Sequence, residues 1–224
     1  MIREFTIDEF TFLLLAARWT LLLSIIALIG GALAGLVVAL ARAARAKLWR
    51  GAARVYIRVF QGTPLLMQLF LLYFGASIVG LQTDAWTSAS IALTLYCSAF
   101  LGEIWRGCVE AIPEGQWDGA RALALSKPQQ LRLIILPQAL RIALPPTVGF
   151  AVQAIKSTSL ASVIGFVELT RAAQIVNNAT FRPLLVYASV AAIYFLLCWP
   201  LSLASQHLEQ RIGRKQERLQ VVSA

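Results

Sequence analysis

An apolar run of 23 residues, residues 19–41, contains no ionisable side chain. Because a helix needs roughly 20 apolar residues to cross a bilayer, this run predicts a membrane-spanning helix. The whole chain has the same character, since 58% of its 224 residues are hydrophobic and 14% are charged, against about a quarter charged in soluble domains. The alternation typical of membrane β-barrels is absent. We therefore expect a single all-α integral membrane domain over residues 1–224, with five spans joined by loops. The predicted spans are residues 19–41, 59–78, 85–108, 142–166 and 184–206, with a long polar connection at residues 110–140.

Cations are concentrated in the segments that five spans would place on one side of the membrane. Of the 20 lysines and arginines, 15 lie in the first and third connections and in the tail. They are Arg42, Arg45, Lys47, Arg50, Arg54, Arg58, Arg106, Arg121, Lys127, Arg132, Arg141, Arg211, Arg214, Lys215 and Arg218. Because positively charged loops stay in the cytoplasm, this asymmetry predicts an outside N-terminus and a cytoplasmic C-terminus. The net charge of +9 is attributed to topology, and no nucleic-acid partner is expected.

The polar connection between the third and fourth spans has specific helix-ending and helix-starting signals. Pro113 and Gly115 are predicted to end the preceding helix. Ser126, with Gln129 three residues later, has the pattern of a capping box and predicts a new helix start. Pro137 is predicted to interrupt that second helix. The expected shape is a short helix, a turn and another helix outside the bilayer.

This connection resembles the cytoplasmic signature loop, or EAA loop, of permease subunits of ATP-binding-cassette (ABC) importers. The signature is Glu-Ala-Ala, three residues, Gly, nine residues, Ile, one residue and Leu-Pro. The chain keeps this spacing with Asp118-Gly119-Ala120, Ala124, Ile134 and Leu136-Pro137. It departs in three places, with Asp118 for Glu, Gly119 for Ala and Ala124 for Gly. The resemblance implies contact with an ATPase through Gly115, Trp117, Asp118, Ala120, Arg121, Ala124, Leu136 and Pro137.

Two further stretches are similar to permeases for polar amino acids. The first is the Gly-Thr-Pro-Leu-Leu-Met-Gln-Leu-Phe segment that ends at Phe70, in which Pro64 should kink or open the second span. The second runs from Lys156 through Thr-Ser-Leu-Ala-Ser to Glu168-Leu-Thr. Many such permeases carry Asp after the lysine, whereas this chain has Ser157.

A polar face in the fourth span is the candidate substrate pathway. Gln153, Lys156 and Ser157 fall at i, i+3 and i+4 and should share one helix face, and a cation inside a span normally faces protein or water. The candidate pathway residues are Thr63, Gln68, Gln153, Lys156, Ser157, Thr158, Ser159 and Glu168. With no carboxylate beside the lysine, acidic or neutral polar amino acids are favoured. Two alternatives stay open: a kinked second span that only packs, and a structural role for the lysine, paired with a carboxylate or with helix-end carbonyls.

The resemblance covers residues 19–211 and implies the type I ABC importer (MetI-like) permease fold. It further implies a non-enzymatic subunit in the inner (plasma) membrane of a bacterium, importing polar amino acids. ATP and Mg would be bound by separate ABC ATPase subunits, and no cofactor is expected in this chain. The other implied partners are a periplasmic or extracellular amino-acid-binding protein, a second permease subunit (identical or paralogous) and membrane lipid.

The sequence lacks the motifs of several other classes. No GxxxxGK[ST] loop is present to bind nucleotide phosphates, and no Ser/His/Asp, Cys/His or metal-ligand pattern occurs, so neither a catalytic nor a metal site is expected. One alternative is a subunit of an ATP-independent secondary transporter or channel, although no inverted repeat is evident. The other is a non-transporting membrane scaffold, which would leave the interior Lys156 unexplained.

Overall fold

The computed structural model describes residues 4–44 and 46–222, with side chains described up to residue 212. Arg3 and Arg45 lie outside the described residues, as do the side chains of the tail cations beyond Arg211. The regular elements of the described part are all helical. They are α1 (Ile7–Ala43), α2 (Lys47–Gly62), α3 (Leu65–Ile78), α4 (Ala85–Glu110), α5 (Glu114–Ala122), α6 (Lys127–Ile164), α7 (Leu169–Thr180) and α8 (Pro183–Val222).

Helices α1, α4, α6 and α8 are each long and apolar enough to cross a membrane. Helices α2 and α3 pass the same test only as a pair, and they form a span bent by 105°. The prediction of an all-α membrane fold is therefore confirmed, with four candidate spans among the described residues, or five when the bent pair counts as one span.

The first helix starts at Ile7, well before the predicted span, because its N-terminus is capped. Thr6 and Glu9 form a capping box, with the Thr6 N–H donating to Glu9 Oε2 at 3.0 Å. The added turns then bury Leu13 and Ala16 against α7 and α8.

Close packing of α1 against α4 forms the most extensive helix pair in the fold. A Cβ placed on Gly31 would overlap the Cβ of Cys97, and one on Gly35 would lie 3.0 Å from the carbonyl oxygen of Ser98. From the other side, a Cβ on Gly102 would lie 2.9 Å from the carbonyl oxygen of Gly35. These positions let two backbones approach as small-residue motifs do in membrane helices.

The side chain of Gln68 stabilises the bend in the second span. Helix α2 ends at Gly62, and Pro64 has no N–H with which to continue it. The buried amide nitrogen of Gln68 donates to the carbonyl oxygens of Phe60 at 2.9 Å and Thr63 at 3.2 Å, and to Thr63 Oγ1 at 3.0 Å. The kink predicted at Pro64 is therefore present, and Gln68 satisfies the carbonyls that the break leaves free.

Helix α6 continues through Pro137, so the interruption predicted there is wrong. Residues Gln130–Ile135 form a wider π-helical turn that leads into the α-helix Leu136–Ser157. A wide turn changes the hydrogen-bonding register just before the proline, which is one way for a helix to accommodate a residue without an N–H. Near the middle of α6, Ser205 Oγ donates to the Pro145 carbonyl at 2.8 Å, and Trp105 Nε1 donates to Thr147 Oγ1 at 3.0 Å.

Candidate functional site

The short helix α5 has one anchored side and one exposed side. Pro113 is its N-cap and Glu114 lies in its first turn, where an acid interacts favourably with the helix dipole. Gly115 lies inside the helix and does not break it, so of the two predicted breakers only Pro113 stands at the boundary. The inner side carries the buried Ala120 and the half-buried Trp117, which packs on the cluster of Ile112, Ile135 and Ala139.

The exposed side of α5 presents small and charged residues. Gly115, Asp118, Gly119 and Ala122, here named the docking face, are all exposed. Asp118 forms an ion pair with Arg121 at the edge of this face. Because glycine has no side chain and alanine only a methyl group, another protein surface could approach the backbone of this helix closely. Within the part of the chain that the structure describes, nothing covers the face.

A Schellman turn follows α5 with an alanine in the left-handed conformation. Ala124 has φ of 54°, the Leu125 N–H donates to the Ala120 carbonyl at 3.2 Å and the Ala124 N–H to the Arg121 carbonyl at 2.9 Å. This position is normally glycine, since a Cβ in the left-handed region costs about 1 kcal/mol. The turn geometry that the EAA signature encodes with glycine is thus kept by Ala124 at a local cost in conformational energy.

The second half of the loop begins at the predicted N-cap. Ser126 and Gln129 form the capping box, with the Ser126 N–H donating to Gln129 Oε1 at 2.9 Å. Gln138 Nε2 donates to Gln116 Oε1 at 3.1 Å and ties α6 to α5. Of the remaining predicted contact residues, Leu136 and Pro137 are exposed on α6. The two short arms of the loop are therefore held as one unit.

The predicted polar face of α6 is only partly formed. Gln153 and Lys156 share an exposed surface, but Ser157 and Thr158 are buried. Thr158 Oγ1 donates to the Ile155 carbonyl and Ser159 Oγ to the Lys156 carbonyl, both at 2.7 Å. Ser157 is the last residue of the α-helical part and is buried, and a 3-10 turn begins at Thr158. Among the described residues, Lys156 has no ion pair, so the structural pairing with a carboxylate is not observed there.

The two predicted pathway segments lie beside one another. Leu65 and Leu69, just after the bend in the second span, share a buried cluster with Ala161 and Ile164 of the 3-10 turn. Thr63 is exposed at the bend. Gln68 is buried, and its amide nitrogen donates hydrogen bonds to Phe60 and Thr63 within the bend. For this residue the structure therefore shows a packing role, which is the alternative to a contact with the solute.

Glu168 does not lie at an accessible entrance, which contradicts the expectation that its carboxylate contacts a solute there. The residue is completely buried and caps α7, with Oε1 accepting from the Arg171 N–H at 2.9 Å. Its Oε2 accepts from Tyr194 Oη at 2.9 Å and from Thr20 Oγ1 at 3.4 Å. Burial raises the pKa of this carboxyl above its ordinary value, and the hydrogen bonds oppose part of that rise.

Sequence reasoning missed the partners of this carboxylate. Thr20 and Tyr194 lie 148 and 26 residues away from it, so no local pattern joins them. The sequence offers only a weak signal, a polar Thr20 near the start of a mostly apolar run. This cluster ties α1, α7 and α8 together at one end of the bundle.

Four candidate membrane spans, a bent pair of helices that could form a fifth, and an exposed helical loop between α4 and α6 fit the membrane-spanning subunit of a transporter. The chain belongs to the family described as binding-protein-dependent transport system inner membrane component, whose model matches residues 27–214.

Relatives within this family are named as amino-acid permeases. The chain is 37% identical over 195 residues to the probable amino-acid ABC transporter permease protein YckA of Bacillus subtilis, covering 87% of this chain and 86% of that one. It is 36% identical over 198 residues to the glutamine transport system permease protein GlnP of Escherichia coli K12, covering 88% and 90%.

Solved structures agree with this assignment. A crystal structure of an amino acid ABC transporter with histidines matches with a TM-score of 0.88 and 34% identity, over 92% of this chain and 96% of that chain. The inward-facing methionine transporter MetNI matches with a TM-score of 0.75 at 20% identity, which concerns the fold alone, over 93% and 99% of the two chains. The recognition of an ABC importer permease and its predicted fold are confirmed, and the chain is an integral component of the inner membrane.

Proposed function

We propose that this chain is the permease subunit of an ATP-driven importer that carries polar amino acids, with glutamine-like or acidic solutes as the preferred class. Family membership and the names of the relatives support transport of amino acids. The observation that carries the coupling mechanism is the docking face, exposed on one side of α5 while Trp117 and Ala120 anchor the other. No relative reported above favours a channel, a secondary transporter or a scaffold.

ATP hydrolysis belongs in this proposal to separate ABC ATPase subunits, which bind ATP and Mg. An ATPase surface docks on Gly115, Asp118 and Gly119, and its closure moves α5 together with α6. The permease then alternates between two rigid-body states. Nucleotide drives the change only because it binds the two states with different affinity.

Two further partners complete the proposed importer. A binding protein outside the membrane delivers the solute, and a second permease subunit, identical or paralogous, forms the other wall of the pathway. Exposed apolar side chains along α1, such as Leu33 and Val37, suit contact with lipid or with that second subunit.

The function is tested by reconstituting the chain with its ATPase and binding protein in lipid vesicles. ATP-dependent uptake of glutamine, glutamate, cystine, arginine and histidine would be compared. Uptake of at least one of these solutes that requires both ATP and the binding protein is the expected result. Uptake that persists without ATP would contradict the proposal.

The orientation is a prediction of the cation asymmetry. Single cysteines at Arg45 and at Gln129 are expected to face the cytoplasm, and those at Asp84 and Asn178 to face outside. Each would be introduced into a background in which Cys97, Cys108 and Cys198 are replaced, and intact cells would be treated with a membrane-impermeant thiol reagent. Labelling of position 84 only after the cells are opened would contradict the five-span orientation.

The pathway prediction concerns Lys156, whose ammonium could bind the carboxylate of a solute. Lys156→Ala is expected to lower uptake about tenfold or more, because a charge-assisted hydrogen bond contributes on the order of 1.5–3 kcal/mol. ATP hydrolysis stimulated by the binding protein should partly persist, since the docking face lies at the other end of α6.

The matched control is Lys47→Ala, which removes an exposed lysine from the start of α2 and should leave uptake unchanged. Gln153→Ala tests the second residue of the same face. Unaltered uptake kinetics in both Lys156→Ala and Gln153→Ala, across the whole panel of amino acids, would exclude this face from the pathway.

A further inference from the structure

Two cavities adjoin at Arg42, near the end of α1. The first, of about 440 Å³, lies between α1, α2 and α4 and is lined by Arg42, Arg54, Ile57, Arg58, Gln61 and Glu103. The second, of about 530 Å³, lies between α1, α2, α4 and α6. Arg42, Arg50, Arg106 and Glu110 line it, but most of its wall is apolar, with Leu36, Leu40, Val109 and Leu140 among the lining residues. Arg42 lines both cavities. A cationic pocket and an apolar pocket therefore meet at one side chain.

Positive charge in the cationic pocket is poorly compensated. Glu103 accepts a hydrogen bond from Arg106 at 2.5 Å, and Arg106 also pairs with Glu110. Arg42 Nε lies 3.9 Å from Glu103 Oε2, too far for a hydrogen bond, and both atoms are buried without a hydrogen-bond partner among the described residues. The one carboxylate of this pocket is thus already held by a different arginine.

Arg54 and Arg58 add to this excess of charge. They lie one turn apart on α2 and both line the pocket. Within the described residues, neither makes a hydrogen bond or an ion pair. Three guanidinium groups therefore share a pocket with one engaged carboxylate, and the side chain of Arg42 is only 17% exposed. Arg42 has only a long ion pair with a carboxylate that Arg106 already binds. Because the carboxylate of this pocket is shared and two more cations lie beside it, the pocket is suited to an anionic ligand.

The surroundings favour an anion that carries apolar chains. On α2, Val55 and Val59 are exposed on a different side of the helix from the two arginines and suit contact with lipid tails. Leu131 and Leu136, near the start of α6, also line the apolar cavity. Basic pockets between membrane helices bind the headgroups of anionic lipids, and arginine binds phosphate oxygens with paired N–H donors.

We propose that these two cavities form a binding site for one anionic phospholipid. The phosphodiester of the lipid lies between Arg42, Arg54 and Arg58, and one acyl chain enters the apolar cavity. The ligand bridges α1, α2, α4 and the start of α6, and it supplies the counter-charge that the protein lacks. The site is separate from the docking face and from the Lys156 face, so it does not depend on which amino acid is carried.

Native mass spectrometry of the purified full chain in non-ionic detergent tests the charge requirement. The chain would be titrated with phosphatidylglycerol and, separately, with zwitterionic phosphatidylethanolamine. We expect one phosphatidylglycerol to be retained per chain in preference to phosphatidylethanolamine. The double variant Arg54→Gln/Arg58→Gln should bind phosphatidylglycerol about thirtyfold more weakly, because each arginine near an anionic headgroup contributes about a fivefold gain in affinity. Both side chains are exposed, so the variant should fold.

A matched control separates the pocket from general charge attraction. Lys47→Gln/Arg141→Gln removes the same amount of charge from exposed positions that line neither cavity, and should retain the lipid as the wild type does. Equal binding of the two lipids, or equal loss in the two double variants, would overturn the proposal.

The acyl-chain half of the proposal has its own measurement. Trp105 lines the apolar cavity, so phosphatidylglycerol with brominated acyl chains should quench its fluorescence, and the quenching should fall in Trp105→Phe. Glycerophosphoglycerol and inorganic phosphate, which lack acyl chains, should compete poorly with the lipid. Competition by either at concentrations comparable to the lipid would show a site for free phosphate groups and would overturn the assignment to lipid, as would equal quenching in the wild type and Trp105→Phe.

Discussion

Replacement Asp118→Lys should abolish ATP-driven uptake while leaving the permease in the membrane. Asp118 is exposed on the docking face and pairs with Arg121. A lysine there would place two cations side by side on the surface proposed to contact the ATPase, and like charges at an interface cost several kcal/mol. The inner side of α5, with Ala120 buried against the loop, is not touched by the change. The measurement is uptake in reconstituted vesicles, together with the amount of permease that co-purifies with the ATPase.

Two controls accompany this variant. Asp118→Glu restores the residue of the EAA signature and should retain most of the uptake. Glu209→Lys makes the same change of charge at an exposed position of α8 and should behave as wild type. Normal uptake by Asp118→Lys would show that α5 does not couple the two subunits.

The second large effect, a loss of stability, is expected from the replacement Gly31→Ala. An added Cβ would overlap Cys97 on the closely packed helix α4, and the two helices would have to separate. Overpacking of this kind typically costs 1–3 kcal/mol, more than the roughly 1 kcal/mol that alanine gains over glycine in a helix. The midpoint of thermal unfolding in detergent should fall clearly below that of the wild type.

Gly107→Ala gives the matched comparison on α4. A Cβ on Gly107 meets no atom within 4 Å, so only the gain in helix propensity applies. The unfolding temperature should stay the same or rise. If the two variants shifted the unfolding temperature in the same direction and by the same amount, close packing at Gly31 would not be a source of stability.

Features governed by local rules were predictable from the sequence. The presence of long apolar helices follows from apolar runs, the capping box of Ser126 and Gln129 from residue type and spacing, and the break at Pro64 from a missing N–H. The ion pair between Glu103 and Arg106, three residues apart on α4, is a local feature of the same kind. Each of these depends on neighbours within one or two helical turns.

Features that depend on distant partners, on irregular helical turns or on burial were missed. Glu168 has the sequence appearance of a loop acid, but Thr20 and Tyr194 from two other helices enclose it. Pro137 has the appearance of a helix breaker, and only the wide turn before it explains why α6 continues. Ser157 keeps the regular helical spacing to Gln153 and Lys156, but its side chain is buried, which spacing alone does not reveal.

Helix α6 can act as a lever with its fulcrum near Pro145 and Thr147. Ser205 of α8 donates a hydrogen bond to the Pro145 carbonyl, and Trp105 of α4 donates one to Thr147 Oγ1. About 27 Å of helix lies between this point and Lys127, and about 15 Å between it and Lys156, at 1.5 Å per residue. A tilt of about 10° would swing the end beside the docking face by about 5 Å and the Lys156 end by about half as much in the opposite direction. In the proposed importer, an ATPase that displaces the Lys127 end of α6 would thus move the Lys156 end by a smaller distance in the opposite direction. The tilt of one rigid helix would suffice, without rearrangement of the side chains between the two ends.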